Sequence, residues 1–203
     1  MPQALAVPVT SRFHDALAYA SQLHATQARK GAEIPYVAHL LAVASIVLEA
    51  GGSEDEAIAA LLHDGPEDQG GEATLAEIRR RFGNVVAEIV AGCSDTLAEP
   101  KPPWEERKRD YIAHLRRADA STLLVSAADK VHNARSTLRD LREFGPSVWE
   151  RFSATREQTL TNYRQLIAAY ADAPAGDPRR AGLVRELREL VDGMEHAEGA
   201  LKE

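Results

Sequence analysis

The chain has little of what several structural classes need. One cysteine in 203 residues, Cys93, leaves no internal disulfide and no thiolate zinc cluster. Aromatic residues are only 5% of the chain, and basic residues are outnumbered, with 24 Lys and Arg against 31 Asp and Glu and a formal charge of −7. A broad nucleic-acid or membrane-surface binder needs a basic face to displace counterions or to meet anionic lipid, so the acidic balance argues against both. No apolar run approaches the ~20 residues that span a bilayer. The first ten residues carry no basic residue and include Pro2 and Pro8, so they do not read as a secretory signal, and a reducing, cytoplasmic compartment is expected. Period-two runs between hairpin turns are missing as well, as are internal repeats, which removes sheet architectures from consideration.

What is present is helical periodicity. Phe13, Ala16, Leu17, Ala20 and Leu23 recur at three- and four-residue steps, as do Tyr36, Leu40, Val43, Ile46 and Val47. Gly31 and Pro35 break the pattern between them. Ser53 with Glu56 forms a capping box for a third helix, which Pro66 should end or kink near Asp64 because its ring clashes with the carbonyl four residues back. Thr74 with Glu77 predicts another capped start, for a helix that stops at Phe82-Gly83. Further helices are expected over Val85–Cys93, Trp104–Arg117, Ser121–Glu143 and Val148–Tyr170, with a last amphipathic one carrying Leu183, Val184, Leu187, Leu190 and Val191. The expectation is an all-α chain: a tail over 1–10, one bundle of about eight or more helices over 11–172, and a linker with a C-terminal helix over 173–203. That last helix would pack on the domain or across a homodimer.

The chemistry sits in Leu61-Leu62-His63-Asp64-Gly65-Pro66-Glu67-Asp68. An adjacent His-Asp pair at a helix end offers an imidazole and a carboxylate to one cation, in a segment otherwise built from Ala and Leu. His39 lies on the core-facing stripe of the preceding helix, where a polar ring needs a partner. Asp129 lies on a helix face of Ala and Val, with Asn133 at i+4 able to touch the same ligand. Two neutral imidazoles and two carboxylates balance a divalent ion, and this nitrogen–oxygen set suits Mn²⁺, with Fe²⁺ or Zn²⁺ as substitutes. His14, His24, His114, His132 and His196 read as structural or solvated, and Cys93 as a small buried hydrophobe.

His39, His63-Asp64 and Asp129 resemble the four ligands of the HD superfamily of metal-dependent phosphohydrolases. The likeness is closer to the hydrolase domain of the RelA/SpoT family and its stand-alone small alarmone hydrolases. It rests on Arg29-Lys30-Gly31, Pro35-Tyr36 with His39, Leu61-Leu62-His63-Asp64 with Glu67-Asp68, Phe82-Gly83, Cys93-Ser94-Asp95-Thr96 and Ala128-Asp129-Lys130 with His132-Asn133, across roughly 11–170. The resemblance implies metal-dependent removal of the 3′-pyrophosphate from a nucleotide such as ppGpp or ppApp, with a water activated by the cation as nucleophile. It implies that Glu67 and Asp68 orient that water and manage protons, that Arg29 and Lys30 lie beside the base, and that Asn133 and Tyr163 contact the ribose and phosphate region. Lys101, Arg107, Lys108 and Arg109 are further candidates for phosphate, with Lys101 put forward first. Gly65-Pro66 and Leu40 depart from the common family pattern without touching a ligand. The synthetase domain of long members has no counterpart in these residues, so degradation alone is implied. Two other readings stay open: a 5′-nucleotidase or NADPH 2′-phosphatase activity on the same metal site, or a non-catalytic nucleotide-binding protein. In each the partner is a small nucleotide gathered by a local basic rim, with no nucleic acid and no membrane.

Overall fold

A computed structural model describes residues 8–98, 100–173 and 177–197. Ten α-helices and one 3-10 segment account for the regular structure among them: α1 (Ser11–Leu23), α2 (Val37–Glu49), α3 (Glu54–Leu62), α4 (Gly65–Asp68), α5 (Gly71–Phe82), α6 (Asn84–Cys93), α7 (Trp104–Leu115), α8 (Ala120–Phe144), the 3-10 turn Gly145–Arg151, α9 (Arg156–Asp172) and α10 (Pro178–His196). The sole β-type pairing among the described residues is an isolated bridge between Ala28 and Pro35. The all-α expectation holds. No described helix is long and apolar enough to cross a membrane.

α3 and the first half of α8 are buried on every side rather than along one stripe. In α3 everything from Glu56 to Leu62 is buried, and in α8 everything from Thr122 to Asp129 is. A helix without a polar face must lie inside the molecule. Accordingly α8 packs against α2, α3, α6 and α10, while α3 packs against α1, α2, α6 and α8. Both are rich in alanine (Ala57, Ala59 and Ala60; Ala127 and Ala128), whose short side chain lets neighbouring axes approach. The hydroxyls introduced by this burial are paired, with Ser126 Oγ within 2.6 Å of Tyr111 Oη and 2.7 Å of Tyr170 Oη.

The punctuation expected from the sequence is mostly where the chain places it. Ser53 and Glu56 close a reciprocal capping box. The third helix ends at Leu62, and Pro66 sits in the first turn of α4, where its missing N–H costs nothing. Two expectations need correction. The helix assigned a start at Thr74 begins at Gly71, because Gly70 adopts φ +103 and turns the chain earlier; the Thr74 hydroxyl donates back to the Gln69 carbonyl instead of capping. The single helix expected over Val148–Tyr170 is two pieces, because Thr155 and Gln158 form a second capping box that starts α9 afresh after the 3-10 turn. The apolar stripe of α10, with Leu183, Val184, Leu187, Val191 and Met194 buried, packs along α8 and α9, so covering it needs no second copy. The expected tail falls in part on 1–7 and the linker on 174–176, which lie outside the described residues, as do Glu99 and 198–203.

α8 begins at Asp119, whose Oδ1 accepts from the Ser121 and Thr122 backbone N–H groups at 2.9 Å each. Its Oδ2 takes the Thr122 hydroxyl at 2.8 Å. Asp119→Ala should therefore lower the unfolding free energy by about 1 kcal/mol. Urea denaturation should show an earlier midpoint with an unchanged slope; an unmoved midpoint would show that the cap is dispensable.

Candidate active site

Three separate elements bring their polar groups to one point in this apolar interior. His39 comes from α2, His63 and Asp64 from the corner between α3 and α4, and Asp129 from the buried middle of α8. One donor atom each from His39, His63 and Asp129 falls within a 4.8 Å group. Asp64 joins them, its Oδ2 lying 3.3 Å from His39 Nε2 and 3.1 Å from His63 Nε2. Asp129 Oδ1 lies 3.2 Å from His39 Nε2 and 3.7 Å from His63 Nε2. Donors bound at about 2.0–2.2 Å around one small cation stand roughly 3–3.5 Å apart, so these separations suit a shared ion.

The chemistry of the donors agrees. His63 Nδ1 is 2.9 Å from the Ala60 carbonyl, an acceptor, so Nδ1 carries a proton there. Its Nε2 is buried and has no hydrogen-bond partner among the described residues, although both carboxylates are close. A buried imidazole nitrogen turned toward two carboxylates is a donor set that fits a divalent metal. Burial would raise the pKa of Asp64 and Asp129, but it is outweighed: His63 leads at Asp64 and Lys130 at Asp129, and both carboxyls stay well below their usual range. The four groups thus favour positive charge where they converge.

Each donor is held from behind. Tyr36 donates its hydroxyl to Asp64 Oδ2 at 2.6 Å. Lys130 Nζ pairs with Asp129 Oδ2 at 2.6 Å, and Asn133 Nδ2 donates to Asp129 Oδ1 at 2.5 Å. His39 Nδ1 is 2.7 Å from His132 Nδ1. This corrects the reading of His132 as structural or solvated: rotation about α8 does carry it away from Asn133, but the ring it meets comes from α2. Burial first, then the neighbouring His39 and Arg29, push its pKa down to about 4, so His132 stays neutral and its Nδ1 can accept a hydrogen bond from His39 Nδ1–H. Tyr36, Lys130 and His132 are the members that sequence reasoning missed. Adjacency to Asp129 signals Lys130, and spacing three residues before His39 signals Tyr36; nothing local signals His132.

Beside this cluster opens a cavity of ≈ 440 Å³, into which Tyr36, His39, Lys130 and His132 face. Arg29, Lys30, Asn133 and Tyr163 line it as well. Arg29 Nη2 donates to Asn133 Oδ1 at 2.7 Å, and burial pushes the Tyr163 phenol up to about 12. Glu67 and Asp68 follow Asp64 on α4 but are not among the lining residues. Glu67 accepts from the Asp95 backbone N–H at 3.2 Å and from Lys101 Nζ at 3.1 Å, and Asp68 accepts from Gln27 Nε2 at 2.8 Å. Lys101 therefore pairs with Glu67 instead of facing the cavity. Of the four basic candidates in that segment, Lys108 lines it, beside Trp104, while also bonded to Asp95.

The HD domain family model matches residues 16–172. The chain belongs to that family. A guanosine-3′,5′-bis(diphosphate) 3′-pyrophosphohydrolase, MESH1 of Xenopus tropicalis, is 38% identical over 154 residues, covering 74% of this chain and 78% of that one. The human MESH1 is 36% identical over 138 residues, covering 66% and 72%. Among solved structures, a metazoan ortholog of SpoT described as hydrolysing ppGpp superposes with a TM-score of 0.73 at 28% identity, over 91% of this chain and 96% of that one. HD membership brings a divalent metal, and the His39, His63 and Asp129 cluster is where this chain would hold it.

The Tyr36 hydroxyl fixes one ligand from outside the cluster, and losing such a support typically costs 10–100-fold in metal affinity. Tyr36→Phe should weaken divalent-metal binding by about tenfold or more in calorimetric titration of metal-stripped protein. Wild-type affinity in the variant would mean that the phenol does not position Asp64.

Proposed function

We propose that this HD protein hydrolyses the 3′-pyrophosphate of guanosine alarmones such as ppGpp, giving GDP and pyrophosphate, with manganese as the metal. The observation that carries the reading is a buried two-imidazole, two-carboxylate cluster beside a cavity rimmed by Arg29, Lys30, Lys108, Lys130, Arg139 and Arg151. A compact, highly charged nucleotide is the ligand class such a rim attracts, and an acidic chain can bind it because the positive charge is local. The relatives named as ppGpp 3′-pyrophosphohydrolases support the substrate. Mn²⁺ follows from the mixed donors, with Fe²⁺ or Zn²⁺ as substitutes. The base preference is assigned to guanine on those relatives, with ppApp as the competing substrate to test.

A divalent ion held by His39, His63, Asp64 and Asp129 supplies Lewis-acid activation of water and of phosphoryl oxygens. The chain's own groups do the rest. Water adds to the phosphorus next to the ribose as its bond to the 3′ oxygen breaks. The water oxygen leaves with pyrophosphate, one proton passes to a carboxylate, and the 3′ oxygen receives one. Glu67 and Asp68, on the short helix that follows Asp64, are the carboxylates assigned to these two transfers. Arg29 can lay its guanidinium on the purine; it already lies over the Tyr36 ring at 5.8 Å. Asn133 and Tyr163 are assigned to the ribose side, and Lys108 and Lys130 to phosphate.

Pyrophosphate release from ppGpp, ppApp, NADPH and 5′-mononucleotides should be compared for Mn²⁺-, Fe²⁺- and Zn²⁺-loaded protein, EDTA-treated protein and Asp64→Ala. Turnover of ppGpp is expected in the loaded wild type and abolished in the last two. Orthophosphate release from NADPH or a mononucleotide, without pyrophosphate from ppGpp, would replace this reading with a phosphatase.

The turn that carries Arg29 and Lys30 generates a second expectation. Gly31 sits at φ +73, and a methyl group there would stand 2.6 Å from Cδ of Arg151. Gly31→Ala must shift the turn and strain its backbone, at a cost of roughly 1–2 kcal/mol. The KM for ppGpp should rise about tenfold while metal affinity stays at the wild-type value; equal KM values would detach this turn from nucleotide binding.

A further inference from the structure

We infer that Gln27 is a positioning residue that aims the Asp68 carboxylate, and that His24 sets the orientation of Gln27. This rests on the reading that Asp68 moves a proton in the reaction. Asp68 ends the four-residue helix α4 and is exposed, so neither packing nor helix length fixes its side chain. Among the described residues, the hydrogen bond to its carboxylate is the one from Gln27 Nε2 at 2.8 Å.

The direction of that bond follows from the partners. An ionised carboxylate only accepts, so Gln27 must turn its NH₂ toward Asp68 and its oxygen the other way. That oxygen meets His24 Nδ1 at 2.7 Å and Gln69 Nε2 at 2.7 Å. Two donors on the amide oxygen leave the flipped amide with donors facing donors, so the orientation is fixed. His24 must therefore carry its proton on Nδ1, although its ring is buried and its Nε2 has no hydrogen-bond partner. A buried imidazole proton committed to one amide oxygen has a purpose beyond filling space.

The backbone under Gln27 is held too. Its N–H donates to the His24 carbonyl at 3.1 Å, and its carbonyl accepts from the Tyr36 N–H at 2.9 Å. The His24 ring stacks on Tyr36, with centroids 5.0 Å apart and planes 20° from parallel. Tyr36 in turn grips Asp64 through its hydroxyl. The connector between α1 and α2 thus fixes two carboxylates at the two ends of α4: Asp64 through Tyr36 and Asp68 through Gln27.

Three readouts on Mn²⁺-loaded full-length protein test this. Gln27→Met removes the donor, and Gln27→Glu keeps oxygens for His24 and Gln69 while setting a carboxylate against Asp68. Both should lower kcat about 10- to 100-fold, with KM for ppGpp and metal affinity within about twofold of wild type. In an Asp68→Asn background, Gln27→Met should change the residual rate by less than about twofold, because the group it aims is already gone. Crystal structures of wild type and Gln27→Met should show the Asp68 side chain turned away in the variant. A folded Gln27→Glu protein with wild-type kcat, additive losses in the double variant, or an Asp68 side chain unmoved in Gln27→Met would each overturn the inference. The structural comparison decides it without turnover, whereas a wild type inactive on ppGpp would overturn the proposed function instead.

Discussion

Two imidazoles and two carboxylates, three of the four buried and Asp64 partly so, meet at one point inside the helical bundle, and much of the structure exists to make that meeting tolerable. Burying ionised carboxylates is costly unless cationic charge and hydrogen bonds offset it. Every donor here has a supporting partner: the Ala60 carbonyl and His132 take the far nitrogens of His63 and His39, Lys130 takes the far oxygen of Asp129, and Tyr36 and Asn133 grip the very oxygens of Asp64 and Asp129 that face the imidazoles. The facing atoms converge at 3.1–3.7 Å. Such supports orient the ligands, which is the condition for a precise metal site.

The helical scaffold follows from that constraint. Four groups on three elements reach one point only if the elements approach closely, and alanine on α3 and α8 permits it. The corner at Gly65-Pro66 then serves two ends. It follows directly on the His-Asp pair, which occupies the break between α3 and α4, and it starts the short turn that carries Glu67 and Asp68.

The cavity depends on a different part of the chain. Its basic rim comes from the α1–α2 connector, from Lys108 on α7, and from α8 with the 3-10 turn that continues it, three stretches well separated in the chain. Their register is kept by small contacts: Gly31 against the Arg151 stem, Arg29 against Asn133, and Arg151 Nη1 against Asp140 Oδ2 at 3.0 Å. The site therefore joins a donor cluster set between helices to a basic cavity whose walls come from both helices and connectors.

Much of this was legible before any coordinates. The 3.6-residue apolar period settles the all-α class, and the capping box at Ser53 and the break at Pro66 are local chemistry that tertiary contacts did not override. The same logic failed at Thr74, where two glycines with positive φ start the helix earlier, and at Thr155, whose cap lies inside an apolar run that reads as continuous. For the site, His39, His63, Asp64 and Asp129 stand out as residues too polar for the faces they occupy. The residues behind them do not stand out. His132 reads as idle on its own helix because its partner belongs to α2; Lys101 reads as a free cation because Glu67, 34 positions away, is not visible as its mate. Periodicity and polarity are properties of the chain, and they were enough to mark most of the helices and the polar side chains set on apolar faces. Which groups hold those side chains, and which basic residues face the cavity, emerges from packing alone, because such pairings are made between helices that nothing in the linear order brings together.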